Sequence, residues 1–181
     1  MRKILVGLLV VITLSHGGAY ASHQDVPDPN DTEGALDIKK VASFGLRSPA
    51  RRIVTYKEWS TSSMWDSGYF IVWYDTAANR HFDFFILVRS AGNWMDATLW
   101  RNYRRRPDRV VGDAQVWRPS AREVVTRIRL SQLWFSKGRD RYRWKVQSVK
   151  TTGPNCRNVC FDRAPNTGVV VEPKPPPKGG G

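Results

Sequence analysis

Residues Gly68–Arg89 read GYFIVWYDTAANRHFDFFILVR: two apolar, aromatic-rich runs, Tyr69–Tyr74 and Phe82–Val88, on either side of a polar break, Asp75–His81. Both runs are rich in β-branched and aromatic residues, lack Gly and Pro, and have the length of one strand. Hydrophobicity this nearly continuous predicts strands covered on both faces, hence a central hairpin of a sandwich and not an edge. The break carries Asp75 and Asn79, with Asp83 just beyond it, and has Asn and Ala where turns often have glycine. It reads either as an ordinary hairpin loop or as a source of oxygen ligands for a hard cation such as calcium.

Outward from this hairpin the same pattern repeats. Upstream, Leu36–Leu46 mixes apolar and polar residues in short strand-like pieces, and Arg51–Lys57 alternates after a Ser-Pro break. Downstream come Met95–Trp100, Val110–Trp117, Glu123–Leu130 and Tyr142–Val149, with a single helical turn expected over Ser131–Leu133. Turn signals separate the strands, and no segment keeps a long 3.6-residue period. The expected fold is all-β: a single antiparallel β-sandwich, jelly-roll-like, over residues 36–167.

The flanks differ in composition. Arg2 and Lys3 precede the apolar run Ile4–Leu14 and the small-x-small triplet Ala19-Tyr20-Ala21, so residues 1–21 read as a signal peptide and the mature protein is expected to be exported. That run is too short to cross a membrane, which takes about 20 residues, and no other transmembrane segment is expected. Residues 22–35 read as an acidic, solvated lead-in, and residues 168–181, ending PKPPPKGGG, as a flexible tail. Cys156 and Cys160 are the two cysteines, and in an exported chain they are expected to form a disulfide that pins a local turn.

The net charge of +13 falls to +11 once Arg2 and Lys3 are removed with the leader. Most of the cations are Arg, suited to bidentate contact with carboxylate or phosphate. The densest run is Arg101–Arg109, RNYRRRPDR, in which Tyr103 interleaves a stacking surface with Arg101, Arg104, Arg105 and Arg106. It reads as a solvated loop or as an anion-binding one. There are eight Trp; Trp59, Trp65, Trp94, Trp100 and Trp117 fall near strand ends or loops, where rings can stack on sugars. Trp73, Trp134 and Trp144 read as core.

Catalytic signatures are not found. Only His23 and His81 survive processing, and there is no nucleophile elbow, zincin helix or phosphate-cradling glycine loop. Three oxygen-rich segments remain: Asp28–Asp31, Asp75–Asp83 and Asp162–Asn166. The first and third flank the two ends of the domain, and chain ends often lie close together. Asp28, Asp31 and Asp162 are therefore the expected ligands of a calcium site, with neutralisation by Arg as the alternative.

In their order, Leu36-Asp37-Ile38, Tyr74-Asp75-Thr76, and Cys156, Cys160 followed by Asp162-Arg163-Ala164-Pro165-Asn166 resemble a loosely defined group of exported bacterial proteins. The span Phe70–Val149 is similar to the β-sandwich of family 9 carbohydrate-binding and DOMON-type modules. In such families the Asp-Thr loop is usually richer in Asp and Gly than Thr76-Ala77-Ala78-Asn79 is here. The resemblance implies a β-sandwich and a binding role. The combined expectation is a non-catalytic module, not an enzyme, for a carbohydrate, acidic polysaccharide or anionic cell-surface polymer, with export arguing against nucleic acid as the natural ligand. Its binding residues would be Trp100, Arg101, Tyr103, Arg104, Arg105, Arg106 and Trp117. The alternatives are a structural or interaction domain without a small ligand, with or without calcium to stabilise it, and, as the remaining reading, an unrecognised hydrolase.

Overall fold

The computed structural model describes residues 24–32, 34–45, 48–61, 68–90, 92–150 and 159–174. Residues 1–23 (expected to include a signal peptide), Trp65, Cys156 and residues 175–181 lie outside these. Two antiparallel sheets pack face to face. In chain order the strands are β1 Gln24–Pro27, β2 Ile38–Phe44, β3 Ala50–Thr55, β4 Gly68–Asp75, β5 Phe84–Ser90 and β6 Met95–Arg101. They continue with β7 Arg109–Asp113, β8 Gln115–Ser120, β9 Glu123–Arg127, β10 Arg141–Lys150, β11 Cys160–Ala164 and β12 Val170–Pro173. The smaller sheet runs β1-β2-β3-β9-β8; the larger runs β11-β10-β4-β5-β6-β7, with β12 also on β10. A single 3-10 turn, Leu130–Gln132, follows β9. No helix among the described residues is long and apolar enough to cross a membrane.

The hairpin sits where its composition demands, with β4 and β5 in the middle of the larger sheet. Phe70, Val72 and Tyr74 of β4, Phe84, Ile86 and Val88 of β5, and Tyr142, Trp144 and Val146 of β10 point inward and are buried. They meet Ile38, Val41, Ile53 and Val124 from the smaller sheet. The outer face corrects the expectation of full cover. Tyr69, Ile71, Trp73, Phe85 and Leu87 are only half-buried, so these strands are apolar on both sides while covered on one.

One charge is buried between the sheets. Arg51 of β3 is fully buried; it donates to Glu172 (3.0 Å), to the Tyr142 hydroxyl (3.0 Å) and to Ser43 (2.7 Å). Its guanidinium lies 4.3 Å from the Trp144 ring centre. The Tyr142 hydroxyl donates in turn to Glu172 in a very short contact. Arg51 thus ties the smaller sheet to β10 and β12 of the larger.

Three segments depart from the sequence reading. Residues 24–27 of the supposed lead-in form edge strand β1, paired to β2 from Gln24↔Ser43 to Pro27↔Lys40. Val170–Pro173 of the supposed tail forms β12, fixed by the buried Glu172. The expected strand Val110–Trp117 is two strands, because the chain crosses from the larger sheet to the smaller at Ala114. β11 and β12 follow one another along the same edge of β10, interrupted at Pro165–Val169.

Candidate functional site

The outer face of the larger sheet carries an aromatic row. Cross-strand register aligns Lys145 of β10, Trp73 of β4, Phe85 of β5, Trp100 of β6 and Val110 of β7. Facing residues on neighbouring strands lie about 5 Å apart, so the row extends for roughly 15–20 Å. The Phe85 and Trp100 rings are within 4° of parallel at 5.9 Å between centres, and Trp73 is 5.1 Å from Phe85. Phe82, just before β5, adds a further ring 5.9 Å from Trp73, with the Lys145 ammonium 4.7 Å from its centre. The Trp73 indole N–H donates to Gln147 at 3.2 Å, which fixes the ring on the sheet. Burial first, then the charge of Arg163, pushes the Lys145 ammonium below its ordinary pKa.

The arginine loop follows directly from this row. It leaves β6 at Arg101 and returns at β7, closed by the Tyr103 amide donating to Asp108 (3.0 Å). Asn102 anchors it to the hairpin loop: its amide donates to the Asp83 carbonyl (2.8 Å) and its side chain to the Phe82 carbonyl (2.7 Å). Arg104, Arg105 and Arg106 are exposed and join none of the ion pairs found among the described residues. The Arg106 guanidinium lies 3.8 Å from the Tyr103 ring centre. Arg101 points the other way, inward of the row. It sits 4.6 Å from the Phe84 ring centre, 4.7 Å from Trp134 and 5.7 Å from Tyr103.

The residues expected to bind polymer thus divide. Trp100 lies in the aromatic row, while Tyr103, Arg104, Arg105 and Arg106 form the loop beside it. Arg101 braces that loop from behind. Trp117 does not belong here: β8 is at the edge of the other sheet, where Trp117 is 38% exposed and lies 5.2 Å from Arg127. Trp59, expected at the rim, is buried beneath Arg118, whereas Trp134, expected in the core, is 59% exposed. Sequence reading missed Phe82 and Phe85, and assigned Trp73 to the core. Period-two alternation puts Trp73 and Phe85 on the face opposite Tyr74 and Phe84, but only strand order makes them neighbours of Trp100.

A second cluster lies at the opposite end of the chain order. Asp28, Asp31 and Asp162 each offer a carboxylate oxygen, all within 4.8 Å of one another. Asp28 follows β1, Asp31 is in the next turn and Asp162 is on β11, so the segments brought together are 124 or more residues apart in register: the Ile38 amide donates to Asp162 at 2.5 Å. The Arg163 amide donates to the other Asp162 oxygen at 2.6 Å, and Asn166 donates to Asp31 at 2.5 Å. Asp28 is 3% exposed and Asp37, at the start of β2, 1% exposed; neither has a hydrogen bond of ordinary geometry to its carboxylate. Burial, then the neighbouring Asp162, pushes Asp28 up to about 8. The same two causes push Asp37 up to about 6, against the pull of the Thr32 amide and Lys57. Asp162 is also raised, mainly by burial.

Among the described residues, the carboxylates of the hairpin loop are held by partners of their own. Asp83 accepts from the Thr76 amide (3.0 Å), the Thr76 hydroxyl (3.2 Å) and the Ala77 amide (3.1 Å). Asp75 pairs closely with Arg143, and Asn79 accepts from the His81 amide at 2.9 Å. Ala78 and Arg80 take positive φ, 53° and 66°, where glycine would be the usual choice. Cys160 opens β11 and is not a free thiol, while Cys156 lies outside the described residues. No family model, no curated protein and no solved structure matches the chain.

Proposed function

We propose that this protein is an exported, non-catalytic binding module for an extended carbohydrate, in particular an acidic polysaccharide or anionic cell-surface polymer. The observation that carries the reading is the row Trp73–Phe85–Trp100, half-buried on an outer sheet face, with Lys145 at one end and the unpaired Arg104–Arg106 loop beside the other. Aromatic rings offer an apolar surface for the C–H faces of sugars, and guanidinium groups offer paired N–H donors to carboxylate or sulfate. A strip of roughly 15–20 Å suits several consecutive residues of a chain better than a single sugar. The net charge of +13 supplies a long-range field that favours an anionic partner. The likeness to family 9 carbohydrate-binding and DOMON-type modules points the same way.

The test is affinity electrophoresis of the mature protein against neutral and acidic polysaccharides, followed by two variants. Trp100→Ala should weaken retention at every salt concentration, because it removes stacking surface. Arg104→Ser/Arg105→Ser/Arg106→Ser should weaken it at low salt and flatten the salt dependence. Retention that neither variant alters would overturn the reading and leave an interaction domain of another kind.

A further inference from the structure

We propose that Asp28, Asp31 and Asp162, with Asp37 beside them, form a calcium site that clamps the first strand of the chain to the β11 edge. Two ligands of one calcium ion, each at about 2.3–2.6 Å, can be no more than about 5 Å apart. The 4.8 Å spread of the three carboxylates meets that limit. An acidic cluster alone would be weak grounds, since exposed carboxylates gather without any ion. Here three of the four are buried, Asp28, Asp37 and Asp162. Asp28 is 97% covered and takes no donor from outside the cluster, and Asp37, 99% covered, is approached only by the Thr32 amide.

The alternative of arginine neutralisation does not hold at this place. No ion pair among the described residues involves Asp28, Asp31, Asp37 or Asp162. The arginines that do pair with carboxylates are Arg51, Arg89, Arg122 and Arg143, which serve other acids. Charging these buried carboxylates together is costly, so without a bound cation Asp28 keeps its proton, and a cation from solution would offset the cost of ionising the group. Asp162 is already oriented by two backbone N–H groups, from Ile38 and Arg163, as a ligand carboxylate commonly is. The donor set is all oxygen, with no His or Cys in the cluster, which selects a hard cation over zinc or copper. Carboxylates drawn from separate segments, with the Asn166 carboxamide nearby, suit the irregular oxygen sphere of calcium better than the strict octahedron of magnesium.

The ion would join three separate segments: the turn after β1, the start of β2 and β11. The first two belong to the smaller sheet and the third to the larger, so the clamp closes one side of the sandwich.

The experiment uses the mature protein, stripped with EDTA and exchanged into chelator-free buffer. Calcium titration by calorimetry should give one site per chain, and the melting temperature should be higher in calcium than in EDTA. Asp31 is exposed, so Asp31→Asn should fold normally; it should lower calcium affinity by at least about tenfold while leaving the melt in EDTA unchanged or raised. Asp96→Asn, a partly exposed control on β6 of the larger sheet, should leave calcium affinity unchanged. Absence of calcium heat together with identical melts in calcium and EDTA would overturn the proposal. So would an equal rise with magnesium, or calcium stabilisation that Asp31→Asn leaves intact. None of these readouts involves polysaccharide, so the clamp and the polymer-binding face fail separately.

Discussion

Glu172→Gln tests what holds the two sheets in register. Glu172 is 2% exposed on β12, and its carboxylate is the counterion of fully buried Arg51 across the core. The substitution keeps the shape and one oxygen but removes the charge, so Arg51 stays buried with only neutral partners. Removing one member of a buried pair costs about 3–5 kcal/mol. The Ser43 hydroxyl, the Ala50 carbonyl and the Tyr142 hydroxyl still accept from Arg51, and the Trp144 ring still faces it at 4.3 Å. The lower end, about 3 kcal/mol, is therefore expected. With a urea slope of about 2 kcal/mol/M, the unfolding midpoint should drop by about 1.5 M. Ionic strength should barely alter this difference, because the pair is screened from solvent. Arg51→Met/Glu172→Leu removes both charges and should cost clearly less than the sum of the two single changes. A Glu172→Gln variant within about 0.5 kcal/mol of the parent, or strict additivity in the double variant, would refute the reasoning.

Three further outcomes follow from other contacts. Asp83→Ala should cost about 1–3 kcal/mol in urea unfolding, since it strands the Thr76 and Ala77 donors, and Asp83→Asn should recover part of it. Ile86→Ala, at the centre of the buried hairpin face, should cost about 2–5 kcal/mol by the same measurement. With calcium chelated, stability should fall as pH rises from about 4 to about 8. Asp28 holds its proton in the fold to about 8 and Asp37 to about 6, pushed by burial, by Asp162 and by Asp31, while Lys57 opposes the shift at Asp37. Unfolded Asp loses its proton near about 3.9, so between these limits the folded state binds more protons and each step up in pH favours unfolding. Melting curves across pH check this, and Asp28→Asn should flatten the decline.

The fold class and the central hairpin were legible in the chain because both rest on local pattern. Tyr69–Tyr74 and Phe82–Val88 carry strand propensity and too much apolar surface for an edge. The pairing of Asp28 and Asp31 with Asp162 was also readable, from three oxygen-rich segments and the tendency of chain ends to meet. Tertiary structure alone decided the rest. β1 and β12 are only four residues each, and they are strands because β2 and β10 offer open edges and because Arg51 anchors Glu172. Hydrophobicity could not distinguish Trp73, half-buried outside, from Trp144, fully buried inside, since each sits in an apolar run. The direction each ring points follows from which sheet face meets the other sheet. Nor could composition show which carboxylates take arginine partners: β10 places Arg143 beside Asp75, whereas Asp28 joins no ion pair among the described residues. Charge and propensity travel with the residue, whereas neighbours more than a hundred positions away are supplied only by strand order.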